Sequence, residues 1–209
     1  MRIVRALFVA TSFLAGPGAL AAMHMPMSGM LMSGQQPVRA ATRPWREARS
    51  LWQQSMREGH RSGAQIGFRG RRVHIILVAN APRHPDMTFE AGGLTNPELV
   101  VTAGAQVTVT LLNMDKGPGM SHGFLVTTMP PPYPVVIPDT RETDIAQTLI
   151  LAPRTSPHEQ QARYAVGRAK FRITRPGTYY YVCPVADHAR AFHMYGRLIV
   201  TPPGRHAPH

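Results

Sequence analysis

At 209 residues the chain is long enough for one domain with a core of its own, and its single cysteine, Cys183, excludes an internal disulfide, so the fold must rest on that core. Its 23 Lys and Arg against 11 Asp and Glu give a formal charge of +12. The basic residues are scattered, however: the densest group, Arg69, Arg71 and Arg72 around Gly70, reads as a solvated turn and not as a nucleic-acid surface.

The chain opens with Arg2 and Arg5, the apolar run Ala6 to Leu14, the helix-breaking Gly16-Pro17-Gly18 and the small residues Ala19-Leu20-Ala21. These are the regions of an export signal, which predicts a signal peptide over 1–21 and a mature chain from near Ala22. The apolar run is too short to span a bilayer, and no other segment is long enough. A periplasmic or otherwise exported, soluble product is expected, which removes nucleic acid as a partner.

Residues 22–43 show no helix or strand period and read as a flexible tether. They carry Met23-His24-Met25-Pro26-Met27, Met30 and Met32. Soft thioethers beside an imidazole suit Cu(I), so this segment is either a copper-binding element or a plain exported tail.

An amphipathic helix is predicted over 44–58. Trp45, Ala48, Leu51, Trp52 and Met56 form its apolar stripe, Pro44 its first turn and Gly59 its stop. Strands follow. Val73 to Val78 is a continuous apolar run, and Val107, Val109 and Leu111 alternate with Thr108 and Thr110. Phe124 to Thr127, Thr148 to Leu151, Lys170 to Ile173, Thr178 to Val182 and Arg197 to Thr201 complete the set, separated by Gly and Pro. Many short strands so punctuated predict a β-sandwich or barrel. Pro202 to His209 is a polar tail.

Chemistry concentrates near the end of the chain. A free thiol is a liability in an oxidising compartment, and a metal would both protect and use it. One strand delivers Cys183 to its end, and the following loop offers His188 and Met194 before the last strand begins. Upstream, Asn113 and Asp115 close one strand and His122-Gly123-Phe124 opens another. Two imidazoles, one thiolate and a weak thioether form the donor set of a type 1 copper site, which suits both copper valences.

The stretch Gly177 to Cys183, the Pro131-Pro132-Tyr133 run, Asn113 and Asp115 ahead of His122 and Phe124, and the helix before the first strand together resemble the cupredoxins. They are most similar to the blue-copper proteins of acidophilic iron oxidisers. The resemblance implies an all-β fold over 44–201, a Greek-key β-sandwich with an N-terminal helical extension. It implies one type 1 copper ion held by His122, Cys183, His188 and Met194, with no catalytic residue. It also implies a monomeric one-electron carrier between redox proteins such as c-type cytochromes, in an iron- or sulfur-oxidising respiratory chain.

The chain departs from that pattern in three places. One extra residue separates His188 from Met194, which leaves His193 as an alternative axial ligand; the order Met194-Tyr195-Gly196 leading into the last strand favours Met194. The loop before His122 is longer, with Pro118 and Met120 in it. Gly123 stands where the family carries a hydroxyl.

Two other functional classes are weighed against an electron carrier. A multicopper oxidase flanks its cysteine with two histidines, whereas Val182 and Pro184 flank Cys183, and a dinuclear copper site needs a second cysteine. No nucleophile elbow is present, so no enzyme is predicted. An exported copper carrier or storage protein, built on the Met-rich tether, is the remaining alternative. For electron exchange the outer edge of His188 is the candidate exit, rimmed by Met120, Pro184 and Phe192. His24, His60, His74, His84, His158, His206 and His209 read as ordinary surface or core residues.

Overall fold

The computed structural model describes residues 40–116, 119–138, 146 and 148–204. The expected signal peptide, most of the expected tether and the last five residues lie outside the described residues. No described helix is long and apolar enough to cross a membrane.

Among the described residues, thirteen strands form two sheets. One has six strands in the order β1 (Ala41–Pro44), β11 (Arg163–Arg172), β8 (Gln106–Asn113), β4 (Arg72–Ala79), β5 (Phe89–Ala91) and β6 (Leu94–Thr95). The other has seven, in the order β10 (Leu149–Leu151), β9 (His122–Thr127), β12 (Gly177–Val182), β13 (Tyr195–Thr201), β7 (Glu98–Thr102), β3 (Gln65–Gly67) and β2 (His60–Ser62). Both sheets are mixed: β4 runs parallel to β8, and β7 runs parallel to both β13 and β3.

Strand alternation explains the main core. Val107, Val109 and Leu111 of β8 point between the sheets, where they meet Ile75, Leu77, Phe124, Val126, Tyr181, Leu198 and Val200. The outer face of the six-stranded sheet is apolar too. Ile76 and Val78 of β4, Leu112 of β8, and Tyr164 and Val166 of β11 form a second cluster there. Helix α1 (Trp45–Ser55) covers it with Ala48 and the half-buried Trp45, Leu51 and Trp52. A strand covered on both faces carries no alternation, hence the unbroken run of β4.

The helix is shorter than its sequence suggests. Pro44 keeps extended backbone angles, φ −65° and ψ 161°, and ends β1. Ala41 to Arg43, expected in the tether, pair instead with Val166 to Tyr164 of β11; as an edge strand, β1 tolerates its proline. Met56 lies beyond the helix and is 40% exposed, so it is not part of the packed stripe. Gly59, expected as the helix stop, lies three residues past the C-cap Met56, at φ +72°, and leads into β2. The strands missed by pattern are β1, the short β2, β3, β5 and β6, and β7, whose Leu99, Val100 and Val101 are buried in succession and show no period.

Register brings the chemistry to one end of the sandwich. Leu151 of β10 pairs with His122 at the start of β9, Val182 at the end of β12 pairs with Leu125, and the same Val182 pairs with Tyr195 at the start of β13.

Candidate metal centre

Three buried donors converge at that end. His122 and Cys183 are fully buried and His188 is 5% exposed. One ligand atom from each lies within 4.8 Å of the other two. The His188 Nδ1 is 3.4 Å from the Cys183 Sγ, and the two imidazole rings are tilted at 48° with centroids 4.9 Å apart.

Each donor has a local reason for its place. Cys183 follows β12, and its backbone N–H donates to the Met194 carbonyl at 3.0 Å, closing the loop between β12 and β13. His188 does not lie in an open loop, as expected, but opens a one-turn helix, α2 (His188–Phe192). Asp187 and His193 flank it in the left-handed region, at φ +65° and +56°. His122 begins β9, and its Nε2 lies 3.0 Å from the Asp115 carboxylate. A carboxylate only accepts, so Nε2 carries the ring proton and Nδ1 keeps its lone pair. That buried Nδ1 has no partner among the described residues. Asn113 braces this corner: its amide nitrogen donates to the carbonyls of Met120 and Ala152, each at 3.1 Å, and its Oδ1 accepts from the Asp115 N–H at 3.0 Å.

An orphaned imidazole nitrogen, a second Nδ1 and a thiol turned to one point form a soft–borderline donor set that fits copper. Burial pushes the Cys183 thiol up to about 12, although the backbone N–H groups of Gly123 and Val185 pull the other way. The metal-free site therefore holds a neutral thiol, whose proton is released on metal binding. The Gly123 N–H lies 3.2 Å from the sulfur and would donate to the thiolate.

Met194 is fully buried in the same core cluster as Cys183. Its backbone N–H donates to the His188 carbonyl at 3.0 Å. His193 is exposed; its ring packs against Tyr195, with centroids 6.0 Å apart, on the outside of the loop. Of the expected apolar rim, Phe192 and Met120 are 51% and 38% exposed, and the Phe192 ring meets the His188 ring edge-on at 6.4 Å. Pro184, also expected there, is buried and packs inward toward Gly123. Val135 and Val136, not foreseen, add exposed apolar surface, and the Val135 carbonyl accepts from the Asp187 N–H at 2.8 Å. Other described histidines lie elsewhere: His74 bonds Thr110 and faces Glu58, and His84 bonds Thr95.

Gly123 is explained by space. A Cβ there would lie 2.7 Å from both the Leu149 carbonyl oxygen and Pro184 Cδ. Gly123→Ser is expected to cost about 1–3 kcal/mol of stability, as overpacking does, read by denaturant unfolding of the copper-free protein. Wild-type stability would show that Pro184 yields freely.

Burial, aided by nearby His122, lowers the His188 imidazole to about 4; Asp115 and Asp187 oppose this. The unfolded chain then binds more protons between pH 6.5 and 4, so this residue's stabilising contribution is lost as pH falls through that window. Half-buried Glu58 and buried Glu90 are raised by desolvation and act with the opposite sign. The difference between the wild type and His188→Gln isolates the histidine. We expect the copper-free wild type to lose up to about 3 kcal/mol relative to the variant between pH 7 and pH 4. Parallel pH curves would refute it.

The chain is 33% identical over 159 residues to a rusticyanin from Acidithiobacillus ferridurans, an alignment covering 75% of this chain and 79% of that protein. A rusticyanin from Acidithiobacillus ferrooxidans matches equally, over 96% of its length. Among solved structures, reduced rusticyanin superposes with a TM-score of 0.66 at 27% identity, over 78% of this chain and 99% of that one. Rusticyanin from Thiobacillus ferrooxidans gives a TM-score of 0.63 at 29% identity, over 79% and 99%. No family model matches the chain. Together with the buried trio, these similarities assign one copper-binding site to this end of the sandwich.

Proposed function

Because the chain belongs to the rusticyanin family of cupredoxins, we propose that it is an exported type 1 blue-copper protein that carries single electrons between redox partners and catalyses no reaction of its own. The observation that carries this reading is the convergence of two imidazole nitrogens and one thiol in a buried pocket at the sandwich end. In it, His122 Nδ1, His188 Nδ1 and Cys183 Sγ would hold the copper, with the Met194 thioether as the fourth donor. Copper bound there supplies a one-electron Cu(II)/Cu(I) couple.

The protein's share is to hold and shield. Asp115 fixes the His122 tautomer, Gly123 supports the thiolate, and the two sheets position the donors before metal arrives. Burial excludes water, which disfavours the more highly charged cupric form. His188 is the ligand nearest solvent, and exposed Met120, Val135, Val136 and Phe192 on the loops of that end suit close docking. The net positive charge steers acidic partners, with c-type cytochromes as the expected class, chiefly through association rate.

The test is the visible and EPR spectrum with a redox titration. An intense thiolate-to-copper band, narrow copper hyperfine splitting and a reversible one-electron wave are expected; a colourless protein would sink the reading. Met194→Leu should keep the band and raise the midpoint by at least about 59 mV, a tenfold change in a one-electron equilibrium, while His193→Ala changes neither. The reverse result would make His193 the axial ligand. The methionine-rich tether favours copper carriage as a second reading. Deleting residues 22–39, which spares β1, abolishes copper transfer in a carrier and leaves colour and potential intact in an electron carrier.

A further inference from the structure

We propose that Asn96 is a positioning residue for the copper loop, holding the peptide just before Met194 from a segment that joins the two sheets. The purpose of this clamp rests on the blue-copper reading; its geometry does not.

Asn96 links β6 of one sheet to β7 of the other and sits at φ +44°, in the left-handed region that asparagine tolerates better than most residues. Its backbone N–H donates to the Phe89 carbonyl at 2.7 Å, and its Oδ1 accepts from the Phe89 N–H at 2.8 Å. That double attachment aims the remaining group, the Nδ2, at the His193 carbonyl, 3.1 Å away and 97 residues along the chain.

The anchor is itself fixed. The Phe89 ring is fully buried against Tyr181, with centroids 5.6 Å apart. The Tyr181 hydroxyl donates to the carbonyl of Pro97, the next residue after Asn96, at 2.6 Å. Glu90 beside Phe89 is buried and held by the Gly93 N–H at 2.7 Å and the Ser55 hydroxyl at 2.6 Å. The pair Asn96-Pro97 is thus tied to β12 two residues before Cys183 and to the loop one residue before Met194, so it spans both ends of the ligand loop.

The loop needs such a tie. His193 holds a left-handed conformation with its ring outside, and among the described residues the other bond its carbonyl accepts is the local one from the Tyr195 N–H at 2.8 Å. A long-range bond at this point holds the peptide that leads into Met194. A donor that stays in place in both copper states lowers the reorganisation that electron exchange requires.

The variants are Asn96→Asp, which keeps the acceptor for Phe89 but loses the donor to His193, and Asn96→Gly, which keeps the backbone conformation and loses both. In the copper-free full chain, we expect the Met194 amide to exchange about tenfold faster in both variants, with the Phe89 amide protected in Asn96→Asp. In the copper-loaded chain, we expect a changed ratio of the two thiolate-to-copper bands, a shifted midpoint and slower electron self-exchange. Wild-type exchange at Met194, or a lowered melting temperature with unchanged spectrum and midpoint, overturns the proposal. If the wild type is colourless, the blue-copper reading fails on its own, while the amide exchange still decides whether the clamp exists.

Discussion

Cys183→Ala is expected to abolish the intense visible band and to leave any bound copper with the EPR signature of nitrogen and oxygen ligation. The thiolate is the one donor that no neighbouring side chain replaces, since Cys183 is the sole cysteine of the chain. The backbone around it does not change: the Cys183 N–H still reaches the Met194 carbonyl, and the loop still closes. The folding cost in the copper-free protein is therefore small, about 1 kcal/mol for one buried sulfur. The large effect appears only with metal. A ligand that binds the native state stabilises it by mass action, so the wild type gains melting temperature on copper addition in proportion to its affinity. The variant should lose most of that gain. Paired melting curves with and without copper separate this from misfolding. A variant that keeps the blue band would remove Cys183 from the site, and one that unfolds without metal would make the cysteine a packing residue first.

The fold and the site were legible in the sequence to different depths. Val107, Val109 and Leu111 announced a half-buried strand by alternation, and they point into the core as expected. The four residues Leu99, Val100, Val101 and Glu98 are buried together and gave no period, so β7 passed unseen. Residues 41–43 carry no apolar signal, since their strand is exposed and held mainly by pairing with β11. At the site, His122 alone carried no signal; the types and spacing of Cys183 and His188 after an aromatic strand, together with the resemblance to the cupredoxins, selected the three residues that the structure brings together. The role of Asp115 was half visible, as a residue near His122 but not as its hydrogen-bond partner. Asn96 was invisible. Its contact with His193 joins positions far apart in the chain, and an asparagine in a turn has an ordinary local explanation. The choice between His193 and Met194 turned on a single residue of loop length, which spacing cannot decide; the left-handed conformation at His193 turns one side chain out and leaves the next one buried.

Asp115→Ala should weaken copper binding about 10- to 100-fold while leaving every donor atom in the chain. With the carboxylate present, the His122 ring proton is held on Nε2 and the lone pair on the unpartnered Nδ1 is left for the metal. Without it, the buried ring has no acceptor for that proton, and the tautomer with the proton on Nδ1 competes. That tautomer cannot bind metal at Nδ1, so part of the binding free energy goes to rearranging the ring. The copper-free protein should also lose about 1–3 kcal/mol, because a buried N–H is left unsatisfied. Asp115→Asn separates the two effects: its amide oxygen can still accept the proton, so it should recover most of the affinity although it carries no charge. Competition against a chelator of known copper affinity measures all three proteins on one scale. If Asp115→Ala binds as tightly as the wild type, the carboxylate does not orient His122. If Asp115→Asn binds as poorly as Asp115→Ala, the charge of Asp115 matters more than the proton it holds in place.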